Sequence, residues 1–215
     1  MHLDQLPLLR PAKLVEDDLS LRSDCLADLA SGFSRLETPR EEPRGQPGAI
    51  MGHVSARDVF HSPCQEEVYR KVKSYLDDLV EEHYDDAEHC DFYLKYGTTV
   101  IEISIEPYEE DDAVIEILAF CVQGVEPSVD LMKELLQINS EIHLGAFSLV
   151  KNDVFYSHSF LGRRINPDQL IASLNAVASI SDEYDEKIVR RFGGETALDR
   201  LRSASRHTTR SGAVN

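Results

Sequence analysis

The residues between Phe92 and Val122 constrain the fold more than any others. Phe92, Leu94 and Tyr96 alternate with Tyr93 and Lys95, and Ile101, Ile103 and Ile105 alternate with Glu102, Ser104 and Glu106. A period of two places one row in a core and the other in water, which is the signature of a half-buried strand. Gly97-Thr98 forms a turn between the first two strands. Glu109-Glu110-Asp111-Asp112 forms a solvated turn before the third. Val114–Val122 is almost continuously apolar, broken by Glu116, and suits the middle of a sheet.

Helices flank these strands. Ser62 is a good N-cap with Pro63 at the first helical position, and Val68, Val72, Tyr75, Leu76, Leu79 and Val80 share a face, so a helix is predicted over Pro63–Tyr84. A second helix starts at Pro127. It is followed by a hairpin, His143–Val150 and Val154–Phe160, across Lys151-Asn152-Asp153. The stretch from Leu131 to Gly162 thus joins a helix end, a turn and a hairpin in one unit. Asn166, Pro167 and Asp168 open a last helix that runs to Gly193-Gly194. The order α-β-β-β-α-β-β-α predicts an α+β domain, a mostly antiparallel five-stranded sheet with packed helices.

The expected domain covers 61–194. Residues 1–60 are expected to form a flexible, largely disordered arm, punctuated by Pro7, Pro11, Pro39, Pro43 and Pro47. Within it Leu19, Leu26, Leu29, Phe33 and Leu36 can share one helical face, suited to docking on this domain or on a partner. Residues 195–215 are expected to be a basic Ser/Arg-rich tail.

Charge and residue usage narrow the function. The net charge of −17 makes direct nucleic-acid binding by the acidic body improbable and favours a basic partner segment. No run approaches the roughly 20 apolar residues of a membrane helix, so no membrane association is expected. The opening MHLDQLPLLRPAKLVEDD lacks a basic n-region and carries early acids, so a cytoplasmic protein is expected. Cys25, Cys64, Cys90 and Cys121 are scattered; with His61 and His89 they do not give a zinc spacing, and the carboxylates at 109–112 lack the calcium-loop pattern. His158 and Ser159 adjoin in a strand and so point to opposite faces, which is no nucleophile–base pair. Asp182, Asp185 and Glu186 are expected on a solvated helix face. No catalytic residue, metal or cofactor is expected, and the chain is not expected to be an enzyme.

Five short motifs carry a resemblance: Leu135-Leu136-x-x-Asn139, Gly145-Ala146-Phe147, His158-Ser159-x-x-Gly162, Asp182-Glu183-Tyr184-Asp185 and Arg191-Phe192-Gly193-Gly194. In this order, over about Pro63 to Gly194, the chain resembles the YbjN-like family, which is similar in fold to the type III secretion chaperones. The resemblance implies a small acidic domain, usually a homodimer, that holds extended peptide segments of client proteins without ATP. It supplies no catalytic residues. Phe92, Leu94 and Tyr96 are the candidate peptide-binding residues. Leu131, Met132, Leu135, Leu136 and Ile138 cover too wide an arc for one sheet and are the candidate dimer interface. The alternative is a regulatory or structural interaction protein that binds one folded partner.

Overall fold

The computed structural model describes residues 59–203; the arm with its Leu19–Leu36 face, and the end of the tail, lie outside the described residues. Helix α1 spans Pro63–Leu79. Ser62 Oγ accepts a hydrogen bond from Gln65 N at 3.0 Å, which satisfies one of the orphan donors of the first turn. The helix ends at Val80, short of Tyr84, because Tyr84–Asp86 pairs as strand β1 with the next strand.

Strands β2 (Asp91–Tyr96), β3 (Thr99–Tyr108) and β4 (Asp112–Gln123) follow, then helix α2 (Val129–Asn139), the hairpin β5 (Ala146–Val150) and β6 (Asp153–Leu161), helix α3 (Pro167–Phe192) and strand β7 (Glu195–Thr196). The spatial order is β1-β2-β3-β4-β6-β5, with every pair antiparallel. The sheet therefore has seven strands where five were expected. The two additions, β1 and β7, are only 3 and 2 residues long, too short to show alternation. Val122 pairs with Val154 of β6 and with Thr196 of β7, so β7 lies on the β3 side of β4, beyond the end of β3.

One sheet face packs against the helices. Ile101, Ile103 and Ile105 of β3 and Ile115 and Ile117 of β4 are fully buried there, against Val68, Val72 and Leu76 of α1 and Leu170, Leu174 and Val177 of α3. Each such side chain contributes roughly 1.5–3 kcal/mol. Helix α3 has the expected start, with Gln169 N donating to Asn166 Oδ1 at 2.9 Å, and is about 39 Å long.

The acidic face expected on α3 is not a solvated one. Asp185 is completely buried, and with Asp182 it grips the β2–β3 turn. Asp182 Oδ1 accepts from Thr98 N at 3.1 Å; the Thr98 hydroxyl lies 2.6 Å from Asp185 Oδ2, and the Thr99 hydroxyl 3.3 Å from the same oxygen. The i, i+3 spacing puts both carboxylates on one side of the helix, and the donors of the turn meet that side. Glu186 stays outside, near Arg190.

The fold also continues past Gly194, where the domain was expected to end. After β7, residues 197–203 are helical; Leu198 is buried, and Ala197 and Leu201 are buried in a second apolar cluster with Tyr93, Val100, Phe120 and Phe155. These four side chains alternate with the helix-facing row and so belong to the opposite face of the sheet.

Burial raises the Asp185 carboxyl above its ordinary pKa, against the hydrogen bonds that lower it. A raised folded pKa gives stability that is fully present below the unfolded value and lost as pH rises through the folded one. Asp185→Asn removes that loss. The melting temperature of the variant minus that of the native chain is expected to be larger at about pH 7 than at about pH 4, near the ordinary carboxylate range. A difference that does not change with pH would show that the carboxyl is not held in this way.

Candidate functional site

Helix α2 carries the surface of most interest. Its N-cap is Ser128, whose Oγ accepts from Leu131 N at 3.1 Å. The wide apolar arc divides into two stripes. Leu131, Leu135 and Ile138 face inward and are buried in the core. Val129, Met132 and Leu136, at i, i+3 and i+7, face outward with 66%, 45% and 69% of their surface exposed, and Leu144 in the turn beyond is 40% exposed. Of the five residues named from sequence as a dimer interface, then, Leu131, Leu135 and Ile138 are committed to the core of the single chain, and Met132 and Leu136 are on the surface. Val129 and Leu144 complete the strip. The signal for Val129 was present as the same helical spacing one turn earlier.

Phe92 and Leu94 form no surface either. Both are buried in the helix-facing row, and Tyr96 is half-buried against it. The reason is that their side chains point to the face covered by the helices; β1 pairs along the outer side of Asp91–Tyr93 only.

The outer strands of the path are β1 and β5, and Leu94–Tyr96 of β2 extends beyond β1. At β5, Phe147 N donates to Asn139 Oδ1 at 2.7 Å, and Asn139 Nδ2 donates to Phe147 O at 3.0 Å. The side-chain amide takes both main-chain groups of Phe147, as a neighbouring strand would. The loop between them is fixed by Gly145, at φ +84°, where an added Cβ would lie 2.4 Å from Ser157 O. The Tyr156 hydroxyl donates to Leu144 O in the same loop. At the other edge β1 is short, and its Asp85 is held by Lys73 at 2.8 Å and by the Tyr69 hydroxyl. Arg191 pairs with Glu134 at 2.7 Å and ties α2 to α3.

The reactive side chains are quiet. Ser159 lies on the face opposite His158, with its Oγ 3.4 Å from Glu116 Oε1. Burial lowers the His158 pKa, which favours the neutral ring. Burial pushes the Cys90 thiol up to about 11 and Cys121 well above its ordinary value, so both are protonated near neutral pH, unlike a thiolate nucleophile. Among the described residues no group of three His, Cys, Asp or Glu side chains is placed to hold a metal ion, and no helix is long and apolar enough to cross a membrane.

Comparison with known families decides the class. Residues 66–200 match the family model TY-Chap1, described as T3SS (YopN, CesT) and YbjN peptide-binding chaperone 1. The chain belongs to this family. The match takes in all five motifs, the α2 strip and the crossing into residues 195–200. A search of curated proteins found no match. The TY-Chap1 assignment gives the chain a coarse role, chaperone-like peptide binding, and a client protein or peptide as the kind of partner.

In this TY-Chap1 chain Asn139 joins α2 to β5. Asn139→Ala leaves both Phe147 main-chain groups without their partner and is expected to cost about 1–3 kcal/mol in urea unfolding. It is also expected to speed amide exchange at Phe147. An unchanged midpoint would mean that water replaces the amide without loss.

Proposed function

We propose that this protein is a non-catalytic, cytoplasmic holding domain that keeps an extended client segment bound without ATP. The observation that carries the reading is the outward strip of Val129, Met132, Leu136 and Leu144. A contiguous exposed apolar patch on a water-facing helix marks an interaction site. Because Asn139 takes both outward main-chain groups of Phe147 on the adjoining edge of β5, contact through client side chains is favoured over an added strand there. Such a contact reads apolar character and little else, as a holding domain requires. An acidic chain of net charge −17 adds attraction for clients with basic flanks and repulsion of nucleic acid.

A second copy is the other occupant that the strip favours. Three residues at i, i+3 and i+7 form a narrow seam that can meet its own image across a twofold axis. We therefore propose a homodimer in the absence of client, with client and copy competing for the strip. A regulatory domain that binds a single folded partner would use the same surface, but would ignore unfolded chains.

Leu136→Glu tests this. The side chain is mostly exposed, so the melting temperature is expected to stay within a few degrees of the native value. Binding to an array of overlapping synthetic peptides is expected to fall by about tenfold or more, since a charge in an apolar contact costs well over 1 kcal/mol. Light scattering at tens of micromolar is expected to change from dimer to monomer. Full peptide binding by the variant would remove the strip from the function, and a native monomer would remove the dimer alone.

A further inference from the structure

We infer that the outward strip of α2 has an occupant within the chain itself: residues 26–36 of the arm, which close the strip against client and copy. The inference rests on the holding-domain reading, since it concerns the same strip, and adds how that strip is regulated. Val129, Met132 and Leu136 are exposed and spaced i, i+3 and i+7. Leu26, Leu29, Phe33 and Leu36 repeat the same alternation of three and four. That period makes a narrow seam between two helices, not a broad face that covers a sheet. Leu26–Leu36 also matches in length the 11 residues of α2. Arg22 interrupts the seam one turn before Leu26, so this is the part that fits.

The residues beside the seam suit a close approach. On a helix Cys25, Ala30 and Gly32 flank it and are small, whereas Asp24, Asp28 and Arg35 fall on the opposite side. Ser31 and Gly32 are also poor helix formers, so the segment gains its order from the partner it meets and the closure is partial. A client that covers the strip displaces it.

The length of the connection favours this occupant over a second copy. The described chain begins beside β2, where Phe60 packs on Tyr69 with ring centroids 5.4 Å apart and Tyr69 stacks on Phe92 at 4.8 Å. Helix α2 packs on β5, and β3, β4 and β6 lie between β2 and β5. Four strand spacings of about 4.8 Å make roughly 19 Å. A chain of about 22 residues, the length of 37–58, has a root-mean-square end-to-end distance of roughly 25 Å. Span and connection are therefore well matched, and a tethered segment then has an effective concentration of about millimolar order. A second copy at micromolar concentration competes against that advantage.

The test uses the full chain and a fluorescein-labelled synthetic peptide of residues 23–38, with Cys25 replaced by Ser. A strip open in about one chain of ten binds about tenfold more weakly than a free one. Leu29→Ser with Phe33→Ser in the arm leaves residues 59–203 unaltered and is expected to tighten peptide binding about tenfold. Equal affinity of the native chain and this variant overturns the inference, as does binding that survives Leu136→Glu placed in the variant. A nitroxide on Cys25, in a Cys64→Ser chain whose Cys90 and Cys121 are buried, reads the contact directly. It is expected to broaden the Met132 methyl signal, and to do so equally on dilution. Broadening that disappears on dilution puts the arm on a second copy and overturns the inference. If native chain and arm variant bind the peptide array alike while Leu136→Glu still weakens both, the arm falls and the holding-domain reading stands. Array binding untouched by Leu136→Glu removes that reading itself.

Discussion

Everything in this domain depends on β4 being paired on both sides, with its helix-facing row buried along its length. Its 12 residues run from Asp112 beside Tyr108 to Gln123 beside Glu195. On one side β3 is registered from Val100 against Phe120 to Tyr108 against Asp112, and on the other β6 from Leu161 to Val154. An antiparallel sheet with helices on one face needs such a strand, since a register slip by one residue would send Ile115 and Ile117 to the wrong side. The one irregularity lies between Phe120 and Val122, where the register shifts and both Cys121 and Val122 join the helix-side core. That bulge lies near the place where β7 pairs and the chain changes faces.

The alternating strands, the caps of α1 and α3, and the α+β order were legible in the sequence because each rests on local chemistry. Ser62, Asn166 and the isoleucine rows need no knowledge of the rest of the chain. What was not legible is what depends on long-range meetings. Asp182 and Asp185 look like any acidic stretch of a helix until Thr98 and Thr99, more than eighty residues earlier, bring them three donors. Strands β1 and β7 exist only because a neighbour offers an edge. The motifs that signalled the family turn out to lie at joints. Asn139 and Phe147 lock α2 to β5, Asp182 and Asp185 lock α3 to a turn, and Gly194 lets the chain pass the end of β4.

The candidate site was half legible for a similar reason. A three-turn helix with apolar residues at 131, 135 and 138 and again at 129, 132 and 136 has two possible inner faces. Periodicity shows that the helix is apolar on two sides; only the packed sheet selects Leu131, Leu135 and Ile138 as the inner set. Phe92 and Leu94, named from the sequence for peptide binding, lie in the buried helix-facing row, a direction that alternation alone does not select. The family match to TY-Chap1 fixes the class of activity, and the geometry moves attention from β2 to α2.

The surface charge explains little of the stability. Pairs such as Arg70–Glu66, Lys71–Glu67 and Lys187–Glu183 are largely exposed i, i+4 contacts that solvent screens and that contribute little. Stability comes from the helix-side core and from the joints, which leaves the outer surface free to vary. One joint also occupies part of a sheet edge, since Asn139 takes both outward main-chain groups of Phe147 in β5. What remains exposed and apolar is the outward stripe of α2, Val129, Met132 and Leu136, which the core leaves uncovered because Leu131, Leu135 and Ile138 already fill the inner side of the helix.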